Sequence, residues 1–190
     1  MKYYAHINSK NILTGIDMSR ISADEYGSED VKNIEVDKEL YDNKQKYGIE
    51  YYTYKDGEII KNPEWDNIYL EQRKQEKIAK NDRLRDEKLL EGVTYNNVLF
   101  DSDTDQKTNL LATYQMLSDE DTITWYGKDN KALLCTKNDL LAIGNLIIQL
   151  HSYCWNKNAE IKLQINNAKT IEELDSIDIS YNFEGGEYNG

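Results

Sequence analysis

Three aspartates at alternate positions, Asp101, Asp103 and Asp105, have the carboxylate spacing that begins a calcium-binding loop. Such a loop also needs glycine at its sixth position, for a sharp turn, and a bidentate acid at its twelfth; this chain has Gln106 and Ala112 there. The pattern reads instead as a loop leading into a helix, with carboxylates facing its first N–H groups. His151 and Cys154 stand three apart, so on a helix they share a face and could hold zinc with Cys135 or His6. Only this one pair has ligand spacing, and packed core side chains are the expectation, so no metal is assigned. Asp119, Glu120 and Asp121 could imitate a catalytic carboxylate pair, but consecutive acids between a helix and a strand read as a solvated turn. The chain has two histidines, no glycine-rich phosphate loop and no nucleophile elbow, which leaves little material for acid–base work near neutral pH. No catalytic residue and no cofactor is assigned, and the expectation is a protein that is not an enzyme.

Tyrosine is the residue type in excess, 15 against two phenylalanines. A tyrosine ring is apolar along its body and polar at its tip, so such a surplus favours half-exposed surfaces that meet something. Tyr3, Tyr4, Tyr47, Tyr51, Tyr52 and Tyr54 crowd the front of the chain, and alternate positions of a strand share a face. They could form a stacking platform for sugar rings or a protein interface; equally, they could be cross-strand pairs covering a thin sheet. Tyr3, Tyr4, Tyr51, Tyr52 and Tyr54, with Trp65 and Tyr69, are the candidate partner-binding residues.

Bulk composition narrows the partners. With 35 acidic and 23 basic residues the net charge is −12, which offers no broad attraction to phosphate backbones, so nucleic acid is not an expected partner. The first 20 residues lack a basic start and an apolar core, and no run approaches 18 apolar residues, so neither export nor membrane spanning is signalled. The expected location is the cytoplasm, where Cys135 and Cys154 would be reduced and packed.

The elements that must position these groups follow from turn and cap residues. Residues 3–7 alternate, with Tyr3, Ala5 and Ile7 on one side and Tyr4 and His6 on the other; Asn8 to Asn11 supplies a turn and β-type sequence resumes at Ile12. Residues 17–46 are mostly polar and read as loops around one short strand or turn near Ile34 and Val36. Gly48 to Tyr54 reads as a strand, Asp56-Gly57 as a hairpin turn, and Glu58 to Lys61 as the returning strand. Asn62 and Pro63 then suit a helix start, and nothing interrupts helical sequence before Gly92, predicting about 28 residues and roughly 40 Å of helix. Residues 71–88 hold 12 charged side chains and only Ile78, Ala79 and Leu84 as apolar ones, so the middle of this helix is expected to face solvent. Seven of those charges are basic and five acidic, making the helix the one basic segment between two acidic bodies. It reads either as a spacer or as one strand of an oligomeric bundle held through its apolar ends.

Beyond Gly92, Val93 to Phe100 form a tight hairpin around Asn96-Asn97, and a helix over 104–117 puts Leu110, Leu111, Tyr114 and Leu117 on one face. A second hairpin joins Thr122–Tyr126 to Ala132–Cys135. Thr136 caps the most apolar helix, about 137–168, whose Leu140, Leu141, Ile143, Ile147, Leu150, Cys154, Ile161 and Ile165 are the expected core. Thr170 with Glu173 forms a capping box for a last short helix. The fold class is α+β: an N-terminal β-rich domain over 1–62, a charged connecting helix over 63–91, a C-terminal domain of two hairpins packed on helices over 92–182, and a mobile tail over 183–190.

Particular stretches also resemble a known group. The opening Lys2-Tyr3-Tyr4-Ala5-His6-Ile7-Asn8 with Asn11 to Gly15, the later Lys55-Asp56-Gly57-Glu58-Ile59, the run Arg83-Leu84-Arg85-Asp86, Gly92 to Tyr95, Leu99 to Asp103, Thr124-Trp125-Tyr126 and Ala168 to Leu174 are similar to accessory proteins encoded beside receptor-binding fibres of tailed phages and phage-tail-like bacteriocins. Over residues 80–178 the chain resembles an uncharacterised C-terminal domain of phage tail proteins. The resemblance implies a tail-fibre or baseplate partner, a trimeric homo-oligomer, and a life in the host cytoplasm during assembly and then in the tail. It implies two readings, a structural adaptor that stays in the particle or an assembly chaperone that leaves it; the tyrosine-rich front adds a weaker third, a module binding host-surface glycan. It carries over no functional residue.

Overall fold

The computed structural model describes residues 1–20, 31–183 and 187–188. The chain is mixed α and β, with N-terminal hairpins and a C-terminal helical region. It divides into two compact units, Met1–Glu71 and Gln72–Gly190.

In the first unit, β1 (Tyr3–Ile7) is the centre of a three-stranded antiparallel sheet, between β2 (Leu13–Asp17) and β3 (Lys32–Val36). Asn8 builds the β1–β2 turn, its side-chain oxygen accepting from the N–H groups of Lys10 and Ile12. The alternation places Ala5 and Ile7 with Leu13 and Ile16 in a small buried cluster. Residues 17–46 hold more than loops. Besides β3 they form helix α1 (Lys38–Tyr47), capped by the Asp37 carboxylate on the N–H of Leu40 and closed by Gly48. The expectation of loops there overlooked the cap because the helix is polar and only one face, through Leu40 and Tyr41, touches the core. The reading of 21–30 lies outside the described residues. Ile49–Tyr51 is a 3₁₀ turn rather than strand, and β4 (Tyr52–Lys55) pairs with β5 (Glu58–Lys61) around Asp56-Gly57, both at positive φ. Asn62 accepts from the N–H of Glu64 and leads through Pro63 into α2 (Trp65–Glu91), which crosses from the first unit into the second.

The second unit opens where Gly92 ends α2 at φ 83°; a Cβ there would lie 2.2 Å from the Phe100 carbonyl, so only glycine fits. β6 (Val93–Tyr95) and β7 (Val98–Phe100) pair around Asn96 and Asn97, at φ 47° and 60°. Helix α3 (Thr104–Met116) follows, then the hairpin β8 (Thr122–Tyr126) and β9 (Ala132–Thr136), then α4 (Lys137–Asn167) and α5 (Ile171–Ser176). The capping box at α4 is complete, Thr136 and Asp139 each accepting from the other's backbone N–H. At α5, Thr170 caps Glu173 but the Glu173 carboxylate takes the N–H of Lys169 instead, so only half of the expected box forms. Of the tail, 184–186 and 189–190 lie outside the described residues; Glu187 and Tyr188 form β10, parallel to β6.

The core of this unit is the inner face of α4, where Leu140, Ile143, Ile147, Leu150, Cys154, Ile161 and Ile165 are buried. Leu141, expected among them, is 45% exposed, and Leu111 of α3 is 58% exposed. Both lie on the outer side, because each helix has more apolar residues than its buried face can hold. No helix among the described residues is long and apolar enough to cross a membrane.

Candidate functional site

In the first unit the front tyrosines are drawn into the structure to different depths. Tyr3 is buried against Tyr41, with ring centroids 4.7 Å apart. Trp65 is 3% exposed and is gripped by Tyr47, Tyr51 and Tyr69 at 6.1, 5.4 and 5.6 Å. Tyr51 in turn stacks on Tyr47 and meets Tyr52 edge-on at 4.8 Å. Trp65 and Tyr69 therefore anchor the start of α2 inside its own unit, while Tyr4, Tyr51, Tyr52 and Tyr54 remain half-buried. Cations lie over several of these rings: Arg20 over Tyr4 at 5.0 Å, Lys32 over Tyr54 at 5.6 Å and Lys61 over Tyr51 at 5.8 Å. The Tyr54 hydroxyl also accepts from Lys32 at 3.1 Å, and that of Tyr52 accepts from Asn43 at 3.0 Å. The surface is thus one of half-buried rings with polar tips and neighbouring positive charge.

The second unit holds a feature that the charge count concealed. The middle of α2 was expected to face solvent, yet Lys74 and Asn81 are buried and Lys77, Ile78, Leu84, Arg85 and Lys88 are half-buried, which places one stripe of the helix inward. The stripe is polar and is matched by polar groups. Lys74 donates to the Asn166 carbonyl, Lys77 to that of Leu174 at 2.6 Å, and Asn81 to that of Asn158. The Asn81 side-chain oxygen accepts from the Tyr181 hydroxyl at 2.7 Å. Asp82 accepts from Asn158 at 2.9 Å and pairs with Lys162 at 2.6 Å, while the Arg85 guanidinium lies 4.2 Å over the Trp155 ring. Burial opposes ionisation of Asp82, but hydrogen bonds from Lys162 and Asn158 outweigh it and hold the carboxyl below its ordinary pKa. Burial lowers the pKa of Lys77. A hydropathy reading cannot find such a stripe; the available signal is the spacing of Lys74, Asn81 and Lys88, one side chain per heptad.

The other sequence candidates are placed separately. Asp103 caps α3 through the N–H of Gln106, and Asp101 pairs with Lys128 at 3.2 Å. His151 donates from Nε2 to the Ser102 carbonyl at 2.7 Å. His6 is fully buried, with Nδ1 2.9 Å from Asn33 and Nε2 3.5 Å from the Asp17 carboxylate, the latter contact outside hydrogen-bond geometry. Cys135 and Cys154 are buried free thiols; burial, with Asp139 nearby, pushes Cys135 up to about 11. Asp119 pairs with Lys137 at 3.0 Å on the surface. Among the described residues no three His, Cys, Asp or Glu side chains converge as metal ligands.

On the outer side of the α3–α4 pair, Leu111, Tyr114, Leu141, Gly144 and Ile148 line an apolar groove of about 300 Å³. The fold defines a protein of mixed α and β structure in two compact units. The chain belongs to the family described as a domain of unknown function, DUF4376, which matches residues 72–181. The match begins where the second compact unit begins. No curated protein and no solved structure matches the chain.

Proposed function

We propose that this protein is a non-enzymatic component of a phage tail or phage-tail-like particle, a structural adaptor that binds the receptor-binding fibre or the baseplate. The observation that carries the reading is the surface of the first unit, where half-buried Tyr4, Tyr51 and Tyr54 sit beneath Arg20, Lys61 and Lys32. Tyrosine rings and arginine, here Tyr4, Tyr51, Tyr54 and Arg20, are enriched where protein interfaces concentrate their binding energy. The similarity of the stretches quoted above to tail accessory proteins supplies the partner class. In this reading the protein is made in the host cytoplasm and ends in the tail, as a homo-oligomer.

Mass spectrometry of purified particles tests it. An adaptor is present at fixed stoichiometry with the fibre; a tail-fibre assembly chaperone is absent from mature particles but co-purifies with fibre in infected cells. Absence from both sinks the tail reading. A glycan-binding role is favoured only if Tyr51 or Tyr54 resonances shift with host-surface saccharide while fibre binding is undetectable.

A further inference from the structure

We infer that the outer face of α4 is the interface of an antiparallel homodimer, in which two copies pack α4 against α4 across a two-fold axis at Ser152. This rests on the geometry of the second unit and not on the tail reading.

The core face of α4 is already filled, yet the opposite side of the helix carries a second stripe. Around exposed Ser152, the next positions outward on that side are Ile148 and Trp155, then Asn145 and Ala159, then Leu141 and Leu163, all exposed and all within one narrow face at 3.6 residues per turn. Ile148 is 63% exposed, Trp155 53% and Leu163 62%, an unusual outlay of apolar surface on a protein with 31% charged residues. None of the seven stripe residues is charged and residues 140–156 contain no Asp, Glu, Lys or Arg, so the stripe itself sets no like charges in contact between two chains of net charge −12; the Arg85 guanidinium lies beside it, over the Trp155 ring.

The order of sizes identifies the occupant. Read from either end, the stripe runs large, small, large, small, large, small, large, with Ser152 at the centre, which is the symmetry an isologous two-fold contact requires. An antiparallel partner then sets Leu141 against the partner's Leu163 and Ile148 beside the partner's Trp155. The groove of about 300 Å³ next to Ile148 lies open at Gly144, where an added Cβ would meet nothing within 4 Å, and it leaves room for that indole. Exposed Leu111, Leu141, Ile148, Trp155 and Leu163 offer on the order of 100 Å² of apolar surface each. Burying them in both copies hides roughly 1,000 Å², the threshold for a specific interface. The ends of α2 offer less, because Trp65 is buried and Leu84 and Leu89 are half-buried within their own units, which leaves Leu90, 67% exposed, as a single side chain and not a stripe.

Light scattering on the full chain gives the first test: the expected mass is twice 22.2 kDa, and a monomer at the highest attainable concentration, or a trimer, overturns the inference. Ile148→Lys should yield a folded monomer with unchanged helical circular dichroism. Single cysteines establish the direction of pairing, since native Cys135 and Cys154 are buried. Ser152→Cys should form a covalent dimer under mild oxidation, whereas Leu141→Cys alone should not, its two copies lying about 33 Å apart. Leu141→Cys combined with Leu163→Cys should cross-link. Cross-linking by Leu141→Cys alone, or none by Ser152→Cys, overturns the antiparallel arrangement.

Discussion

The two units bury apolar surface by different means. The first has a cluster of four buried residues, Ala5, Ile7, Leu13 and Ile16, extended by half-buried rings and by the box around Trp65. The second buries a continuous aliphatic row along α4 and closes it with a polar stripe from α2. A thin aromatic sheet keeps its hydroxyls and neighbouring cations at the surface, where they are useful for recognition. A long aliphatic helix gives more burial per residue and a stiffer frame. In the proposed reading the binding surface lies in the first unit, and the aliphatic core and the proposed self-association lie in the second.

The largest effect should come from Trp65→Ala, which empties the centre of the aromatic box and should destabilise the first unit by about 3–5 kcal/mol. Both cysteines lie in the second unit, so thiol labelling reports that unit alone. If Trp65→Ala exposes the first unit to protease while the thiols stay protected, the units fold separately; simultaneous thiol exposure would break the comparison. Ile147→Ala should cost about 2–5 kcal/mol in the opposite unit and should speed thiol labelling, because Ile147 is fully buried. A melting temperature unchanged by this substitution would remove α4 as the source of stability.

A smaller loss, about 1–3 kcal/mol, is expected for Asn81→Ala, which removes the side-chain oxygen that accepts from the Tyr181 hydroxyl, leaving it the Asn81 carbonyl at 3.5 Å, and removes the amide that donates to the Asn158 carbonyl. Tyr181→Phe in the Asn81→Ala background should then cost less than it does alone, and additive losses would argue against a shared network. The smallest effect concerns acid. Because the Asp82 carboxyl is held below its ordinary value, its contribution is present above the unfolded pKa and is lost as pH falls through the lower folded pKa. Asp82→Asn should therefore flatten the acid limb of stability below about pH 4. With 34% of the side chain exposed, screening keeps this under about 1 kcal/mol, checked by denaturant titration at pH 3 and pH 7.

Much of the candidate surface was legible in the sequence as composition but not as position. Tyr3 and Trp65 belong to the same tyrosine-rich front as Tyr4 and Tyr54, yet the first pair is buried and the second stays near the surface. Alternation along β1 predicts which side Tyr3 takes. Nothing local says that Trp65, on a helix, will be enclosed by rings from residues 47 and 51.

The turns and caps are another matter, because their causes are local. Asn96-Asn97 and Asp56-Gly57 tolerate positive φ, Thr136 and Asp139 satisfy each other's backbone, and Gly92 takes the φ of 83° that ends α2. Interactions spanning four residues or fewer are written in those residues, and the sequence by itself determined them. Tertiary structure alone decided that a highly charged helix would turn Lys74 and Asn81 inward, and that Leu141 would face out while Ile143 faces in. Those outcomes depend on partners about 80 to 100 residues away, such as Asn158, Asn166 and Tyr181, whose carbonyls and hydroxyl make burial of an amide or an ammonium tolerable. The free energy of burying a polar group is set by what it meets, and what it meets is known only once the chain has folded back on itself.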